Sequence, residues 1–391
     1  MGQERELYSF GLIRSGPILG AGVTDALYAQ VHEALRARIV SGELAVGDRL
    51  PTQAELIDEF SVSAITIKRA LDILRDEGFV TRRPRIGTVV VSSTPGDGTP
   101  HGTDAGLPLV GYIVPRFDDA FGTQLLSGLL EASTHRAHVV VGTSLGDSEL
   151  EERLLAEQLE RGIDGLVLLP SSSQFIPQSV ATLVGQRFPI VIVDRTLTGV
   201  PVSTVTSDNV TGGRLAAEYL FGLGHTRIAL VQSPNAVSTL DERRRGVVAA
   251  HAAHQVRLED AQVYSGVRSV VPGDTTTPDD DVERLVEFLR THPDLTGCVV
   301  TEYHSARLVL QAALRLGRSV PEDLSIVCFD APPEFVDAAI PFTHVEQDQH
   351  AIGTHAFDLI QRQLRERGHV AQDTIDVRIV EAGSTGPAPA R

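Results

Sequence analysis

Among 391 residues the chain has one lysine, Lys68, and two cysteines, and no apolar run approaches the length of a membrane span. Each scarcity excludes something. A Walker-type phosphate loop needs Gly-Lys and a pyridoxal phosphate enzyme needs a Schiff-base lysine, and Lys68 lies in an arginine-rich stretch that serves neither. Cys298 and Cys328 both fall in apolar runs that read as buried strands, which argues against a disulfide framework and fits a reducing compartment. The first residues, MGQERELYSFGLIRSGPILGAG, hold no apolar core of signal-peptide length, so a cytoplasmic location is expected. Positive charge is also short: the formal net charge is −17, which disfavours nonspecific attraction of the whole molecule to nucleic acid.

What is present is unevenly spread. Ser61 to Val91 carries six basic residues (Lys68, Arg69, Arg75, Arg82, Arg83, Arg85) against three acidic ones, a balance of +3 that leaves −20 for the rest. Such partition suits a chain of which one small face approaches phosphates. Apolar content of 42% with 22% charged residues is that of a soluble globular protein, and the length favours two or three units.

Residues 1–24 lack periodicity and read as a flexible tail. Leu27, Val31, Leu35 and Ile39 recur every four residues, predicting a helix from near Asp25 that Gly42 stops. Thr52 and Glu55 form a capping box that opens a second helix, about Gln53 to Phe60. Ser63 opens a third, with Ile67, Ala70, Leu71 and Leu74 facing inward and Ala64, Thr66, Lys68 and Arg69 near or on the outer face. Strands Phe79 to Arg82 and Gly87 to Val91, joined by an Arg-Pro-Arg turn, make a wing. A helix-turn-helix with a wing places small polar residues against base edges and cations against phosphates. The same pattern also describes a small packed module with a solvated charged face.

The segment LAVGDRLPTQAELIDEFSVSAITIKRALDILRDEGFVTRRPRIGTVVV resembles the winged helix of GntR-family regulators, matching at Gly47, Leu50, Pro51, Thr52, Leu56, Val62, Ser63, Thr66, Ala70, Leu71, Leu74, Glu77, Gly78, Gly87, Thr88 and Val90. The resemblance implies DNA contacts at Thr52, Ser63, Thr66, Lys68 and Arg69, and in the wing at Arg82, Arg83, Arg85 and Gly87. The family usually has arginine where this chain has Ala64, and often a charge at Ala54. Losing one bidentate guanine contact removes about 1–3 kcal/mol of discrimination, so the operator is expected to differ from the usual type or to lean on the wing. Some GntR relatives are fused to an aminotransferase-like domain; the single lysine excludes that here. The winged helix therefore spans 25–91, and the Gly/Pro/Ser/Thr-rich residues 92–107 form a linker.

From Leu109 onward short apolar runs (LVGYIV, AHVVVG, GLVLL, PIVIV, RIALV, GCVVT, LSIVCF) alternate with helical segments. The fold class expected is α/β: parallel sheets covered by helices, in two lobes, with ligand groups at the carboxyl ends of strands. IDGLVLLP, PIVIVDR, TSDNVTGGRLAAEYLFGLGHTRIALV, RRRG, VPEDLSIVCFD and THVEQD with Gly353 resemble the effector domain of LacI-family repressors and periplasmic sugar-binding proteins. That resemblance implies an effector domain over 108–386, a short tail at 387–391, and ligand contacts at Asp119, Phe121, Arg195, Arg243, Asp330 and Gln347. Glu302 and Tyr303 stand where the family has an Asn-Asp pair and join the candidate set, Tyr303 as an aromatic face for a sugar ring.

Together the two resemblances imply a homodimeric repressor on an inverted repeat of double-stranded DNA, released by a small molecule, a carbohydrate on family grounds, with no cofactor, metal or membrane partner. The same architecture also permits a co-repressing ligand. One rival motif is GTSLG at 142–146, which matches a hydrolase nucleophile elbow centred on Ser144; Gly146 and Asp147 intervene before the next helix, which Ser148 is expected to cap. His251 and His254 are spaced i, i+3 with no third ligand nearby.

Overall fold

The computed structural model describes residues 22–83, 87–94, 107–118, 120–330 and 340–390. Arg85 and Asp119, most of the expected N-terminal tail and most of the linker lie outside them, as do the side chains of Arg82 and Arg83. The chain divides into two compact units, 1–106 and 107–391.

In the first unit three helices, α1 (Gly22–Val40), α2 (Gln53–Phe60) and α3 (Ala64–Asp76), precede the hairpin β1 (Val80–Arg83) and β2 (Gly87–Val90). Val31, Leu35 and Ile39 of α1 close over Leu56, Ile67, Ala70, Leu74 and Phe79, which supplies the helical repeat with its partner face. The capping box at α2 is formed: Thr52 N donates to Glu55 Oε2 (2.6 Å) and Glu55 N to Thr52 Oγ1 (3.4 Å). Ser61, left-handed at φ 53°, turns the chain sharply, and Ser63 caps α3 two residues later. In the hairpin Arg83 pairs with Gly87 and Thr81 with Val89, antiparallel.

The second unit has two lobes, each a six-stranded sheet. The N-terminal lobe is built from β3 (Leu109–Val114), α4 (Thr123–Ser133), β4 (His138–Thr143), α5 (Ser148–Glu160), β5 (Gly165–Leu168), α6 (Gln178–Gly185), β6 (Ile190–Val193) and β7 (Ser203–Ser207). The chain then crosses over through α7 (Asn209–Gly222), β8 (Ile228–Val231), α8 (Ser238–Ala253), β9 (Val263–Tyr264), α9 (Pro278–Thr291), β10 (Gly297–Val300), α10 (Tyr303–Arg315), β11 (Ser325–Phe329) and β12 (Thr343–Gln347). It returns with α11 (Gln349–Arg365) and β13 (Gln372–Ile375), and ends in the C-terminal lobe with β14 (Val377–Val380). The sheet orders are β13-β7-β6-β5-β3-β4 and β14-β12-β11-β10-β8-β9, parallel throughout except for β14 against β12.

Strands β5, β6, β8, β10 and β11 are buried along their whole length, as apolar runs between two helical layers must be. Two helix pairs hold the lobes' inner layers. In each, glycine faces glycine: a Cβ on Gly213 of α7 would lie 2.0 Å from Arg243 O of α8, and one on Gly246 2.0 Å from Val210 O. The pair α4 and α11 repeats this with Gly128 and Gly353, 2.1 Å from His350 O and Leu125 O. The chain passes between lobes at Asp208, Asp348 and Asp376. Asp208 and Asp348 share the same backbone geometry and cap their helices alike, accepting from Thr211 N and Ala351 N at 2.9 Å. Beyond β14, Ser384 is fully buried and Ala388 N donates to Leu223 O (2.9 Å), so the last residues are tied into the C-terminal lobe.

Candidate functional site

In the first unit the expected interface is the outer face of α3 with the wing. Ser63 Oγ accepts from Thr66 N (3.3 Å) and bonds Thr66 Oγ1 (2.8 Å), so both hydroxyls serve the helix end. Thr66 is 3% exposed, which corrects its expected place near or on the outer face: its hydroxyl is held at the helix end by Ser63. Lys68 and Arg69 are exposed, but the Arg69 guanidinium lies 4.1 Å from the Tyr28 ring of α1 and is positioned by it. Thr52 is exposed, with its hydroxyl donating to Glu55 Oε2 (2.8 Å). Gly87 takes φ +107°, and a Cβ there would meet Arg49 Nε at 2.8 Å, so Arg49 lies against the wing. Nothing in the sequence motif singled out Arg49; the bridge between Arg49 and Val89 brings it there. Gln53 Nε2 donates to Ala64 O (3.1 Å), bracing the recognition helix from α2.

In the second unit most of the expected ligand residues converge at the carboxyl ends of the strands, where the lobes face each other. Arg243, on α8 and 6% exposed, donates from Nε to Asn209 Oδ1 (2.8 Å) and from Nη1 to Thr301 O, with its guanidinium 4.0 Å from the centre of the Phe329 ring. Asp330, after β11, accepts from Gln347 Nε2 (2.7 Å) and Gln349 Nε2 (3.3 Å). Gln349 also accepts from Gly122 N (2.9 Å) and donates to Ala120 O (2.8 Å), so it joins Asp330 to the N-terminal lobe loop that carries Phe121. Arg195, after β6, donates to Pro170 O, with Nε 4.0 Å from Asp194 Oδ2. Glu302 accepts from Ser305 Oγ (2.9 Å).

Burial dominates the electrostatics. It raises the pKa of Asp194, Glu242 and Glu302, pushes Asp330 up to about 7, and lowers both Arg195 and Arg243. Around these groups the buried atoms Asp194 Oδ1, Arg195 Nε, Ser207 Oγ, Gln232 Oε1, Thr301 Oγ1 and Gln347 Oε1 have no hydrogen-bond partner among the described residues. Buried polar atoms in that state bond water or a ligand group that donates and accepts at once, and eight further atoms of the described residues share it. Asp194, Asn209, Gln232 and Gln349 were missed from sequence because amides and carboxylates at strand ends look like ordinary caps.

Two aromatic candidates pack against the lobe cores. Tyr303 is 5% exposed, as buried as Arg243 and Gln347, and its ring stands edge-on to Phe342 at 5.9 Å. Phe121 is half-buried against the N-terminal lobe core, as is Phe117. A cavity of about 450 Å³ is lined by residues of both lobes, including Arg116, Phe117, Asp118, His304 and Arg307, and among the described residues none of the expected ligand contacts borders it.

Ser144 is buried and its hydroxyl pairs with Ser171 (2.9 Å), which donates to Glu151 (2.6 Å). Asp147, not Ser148, caps α5. This chain of bonds braces the loops after β4 and β5, and among the described residues no imidazole bonds the serine. His251 and His254 both pack on Phe221, with ring centroids 5.0 and 4.3 Å away.

Residues 27–90 match the family model for bacterial regulatory proteins of the gntR family, and residues 196–385 match that for a periplasmic binding protein-like domain. The arabinose metabolism transcriptional repressor of Geobacillus stearothermophilus is 24% identical over 346 residues, 87% of this chain and 92% of its own length. The HTH-type transcriptional repressor CytR of Escherichia coli is 28% identical over 287 residues, 71% of this chain and 79% of its own. A solved LacI-family regulator from Mycobacterium smegmatis superposes with a TM-score of 0.61 at 26% identity, covering 72% of this chain and 100% of that one. The chain is a DNA-binding transcriptional regulator. It joins a GntR-family helix-turn-helix domain to a periplasmic-binding-protein-like effector domain. Among the described residues no helix is long and apolar enough to cross a membrane.

Proposed function

We propose that this regulator represses its target genes and leaves the operator when a carbohydrate enters the cleft between the two lobes. The observation that carries this is the gathering of buried charged and amide side chains from both lobes, with Asp194, Glu302 and Asp330 as electrostatic neighbours of Arg243 and Gln347 bonded to Asp330. A polyol presents several hydroxyls at fixed spacing, each able to donate to a carboxylate and accept from a guanidinium or amide. The similarity to an arabinose metabolism repressor supports a sugar as the effector. Ligand drives a switch only through unequal affinity for two states, so contacts from both lobes are required, and a closed cleft is the state a bridging sugar favours.

The DNA side rests on α3 and the wing, with Ser63, Lys68 and Gly87 the residues proposed at the duplex and Arg82, Arg83 and Arg85 supplying phosphate contacts. A homodimer through the effector domain would place two such heads on an inverted repeat. The test is operator binding by fluorescence anisotropy, with duplex selected from the chain's own upstream region or a random library, across a panel of pentoses, hexoses and disaccharides. Release by one sugar supports the proposal. Tightening by a sugar would assign the same cleft to a co-repressor, and indifference to the whole panel would sink the carbohydrate reading.

A further inference from the structure

The first turn of α3 is chemically unusual for a surface that reads base edges. Its two hydroxyls are spent on each other and on the helix end, as Ser63 Oγ holds Thr66 N and Thr66 Oγ1. The carbonyl of Ala64 is occupied by Gln53 Nε2. What protrudes is apolar: the Ala64 methyl and the whole side chain of Ile65, which at 77% exposure is the most exposed large apolar side chain among the described residues. Ile67, two residues on, is fully buried, so exposure at Ile65 reflects its helix face and not a loose segment. Lys68 and Arg69 follow at i+3 and i+4, which stacks both cations' backbones on the face that carries Ile65.

A single exposed isoleucine is ordinary on a protein surface. On this face it is not, because the N-terminal residues of the recognition helix are those that reach base edges in the major groove. Of the four bases, adenine, guanine and cytosine offer hydrogen-bonding groups there, and thymine alone adds an apolar one, its C5 methyl. An aliphatic side chain has no other feature to recognise. We propose that Ile65 reads a thymine methyl in each operator half-site, with Ala64 widening the apolar contact, so that apolar readout replaces hydrogen bonding at the tip of the helix. The cations Lys68 and Arg69 hold the helix against the backbone, and Ile65 sets one position of the sequence.

This rests on the DNA-binding reading, and the experiment separates the two. The full-length protein selects a duplex from a random library, and each thymine of the selected site is then replaced in turn by uracil, which keeps every hydrogen-bonding group and lacks only the methyl. Binding is measured by anisotropy at constant salt for wild type and Ile65→Ala. One position per half-site should weaken wild-type binding about fourfold when demethylated, the worth of one buried methyl-sized group. Ile65→Ala should bind the thymine duplex less tightly by at least that factor, be indifferent to uracil at the same position, and melt at the wild-type temperature, since the side chain is exposed. The proposal is overturned if no thymine-to-uracil change weakens wild-type binding, or if Ile65→Ala loses as much on uracil as wild type does. Enrichment of no duplex at all would overturn the DNA-binding reading itself.

Discussion

Replacing Arg243 with alanine separates its two jobs. The side chain is 6% exposed, makes two hydrogen bonds, lies over Phe329, and has Asp330, Asp194, Glu302 and Glu242 as its electrostatic neighbours. Removing one partner from a buried charge group leaves the others uncompensated, at a cost of about 3–5 kcal/mol. Asp330 limits the damage, because a carboxyl already pushed up to about 7 takes a proton readily when its neighbouring cation goes. A loss of about 3 kcal/mol, the low end, is therefore expected. For a domain of this size each kcal/mol lowers the melting midpoint by about 2–4 °C, so Arg243→Ala should melt about 6–12 °C below wild type. Below that temperature operator binding should persist while release by the effector sugar is lost. Arg243→Lys keeps the charge but neither the fork nor the stacking, and should recover part of the stability without the response. The measurements are calorimetric melting and operator anisotropy with and without sugar. A midpoint within about 2 °C of wild type together with an intact response would refute the reasoning.

Three other outcomes are expected. Burial raises the Asp330 pKa from 3.8 to about 7, so the folded state binds a proton that the unfolded state has already released; stability should fall as pH rises through that window and level off above it. Asp330→Asn removes this contribution, and melting curves from pH 5 to 8 that slope identically for both proteins would contradict it. A methyl on Gly213 would meet Arg243 O at 2.0 Å, so Gly213→Ala must spread α7 from α8 and should cost about 3 kcal/mol in urea unfolding; a neutral result would mean that the helix pair yields. Lys68→Ala should weaken binding to all duplexes alike and reduce the salt-dependence slope by about one, read from titrations at several salt concentrations.

The fold was legible where burial and hydrophobicity coincide. Val31, Leu35 and Ile39, or the GLVL and IVIV runs, announce their faces because the residues inside are apolar. Strand β7, STVTS, is buried along its length yet polar; Ser203 Oγ accepts from Gln363 Nε2 (2.7 Å) and Ala371 N (3.1 Å), a satisfaction that no periodicity reveals. The edge strands β13 and β14 alternate weakly for the same reason that they are half-exposed. At the sites, motif spacing located Ser63, Arg243 and Asp330, but not orientation. Thr66 is buried where spacing puts it near or on the outer face, and only packing decides which way such a residue turns. Ile65 carries no motif signature, since an apolar residue beside an N-cap reads like core.

The three passages between lobes at Asp208, Asp348 and Asp376 bear on how such a protein can be taken apart. Each lobe borrows its edge strand from the far end of the chain: β13 completes one sheet and β14 the other. Neither lobe is a contiguous piece of sequence, so neither can be cut free, exchanged or shortened from the carboxyl terminus without opening both. The DNA-binding unit, by contrast, is one contiguous piece of sequence, within residues 1–106. Exchange of the head by recombination therefore leaves the sensor whole.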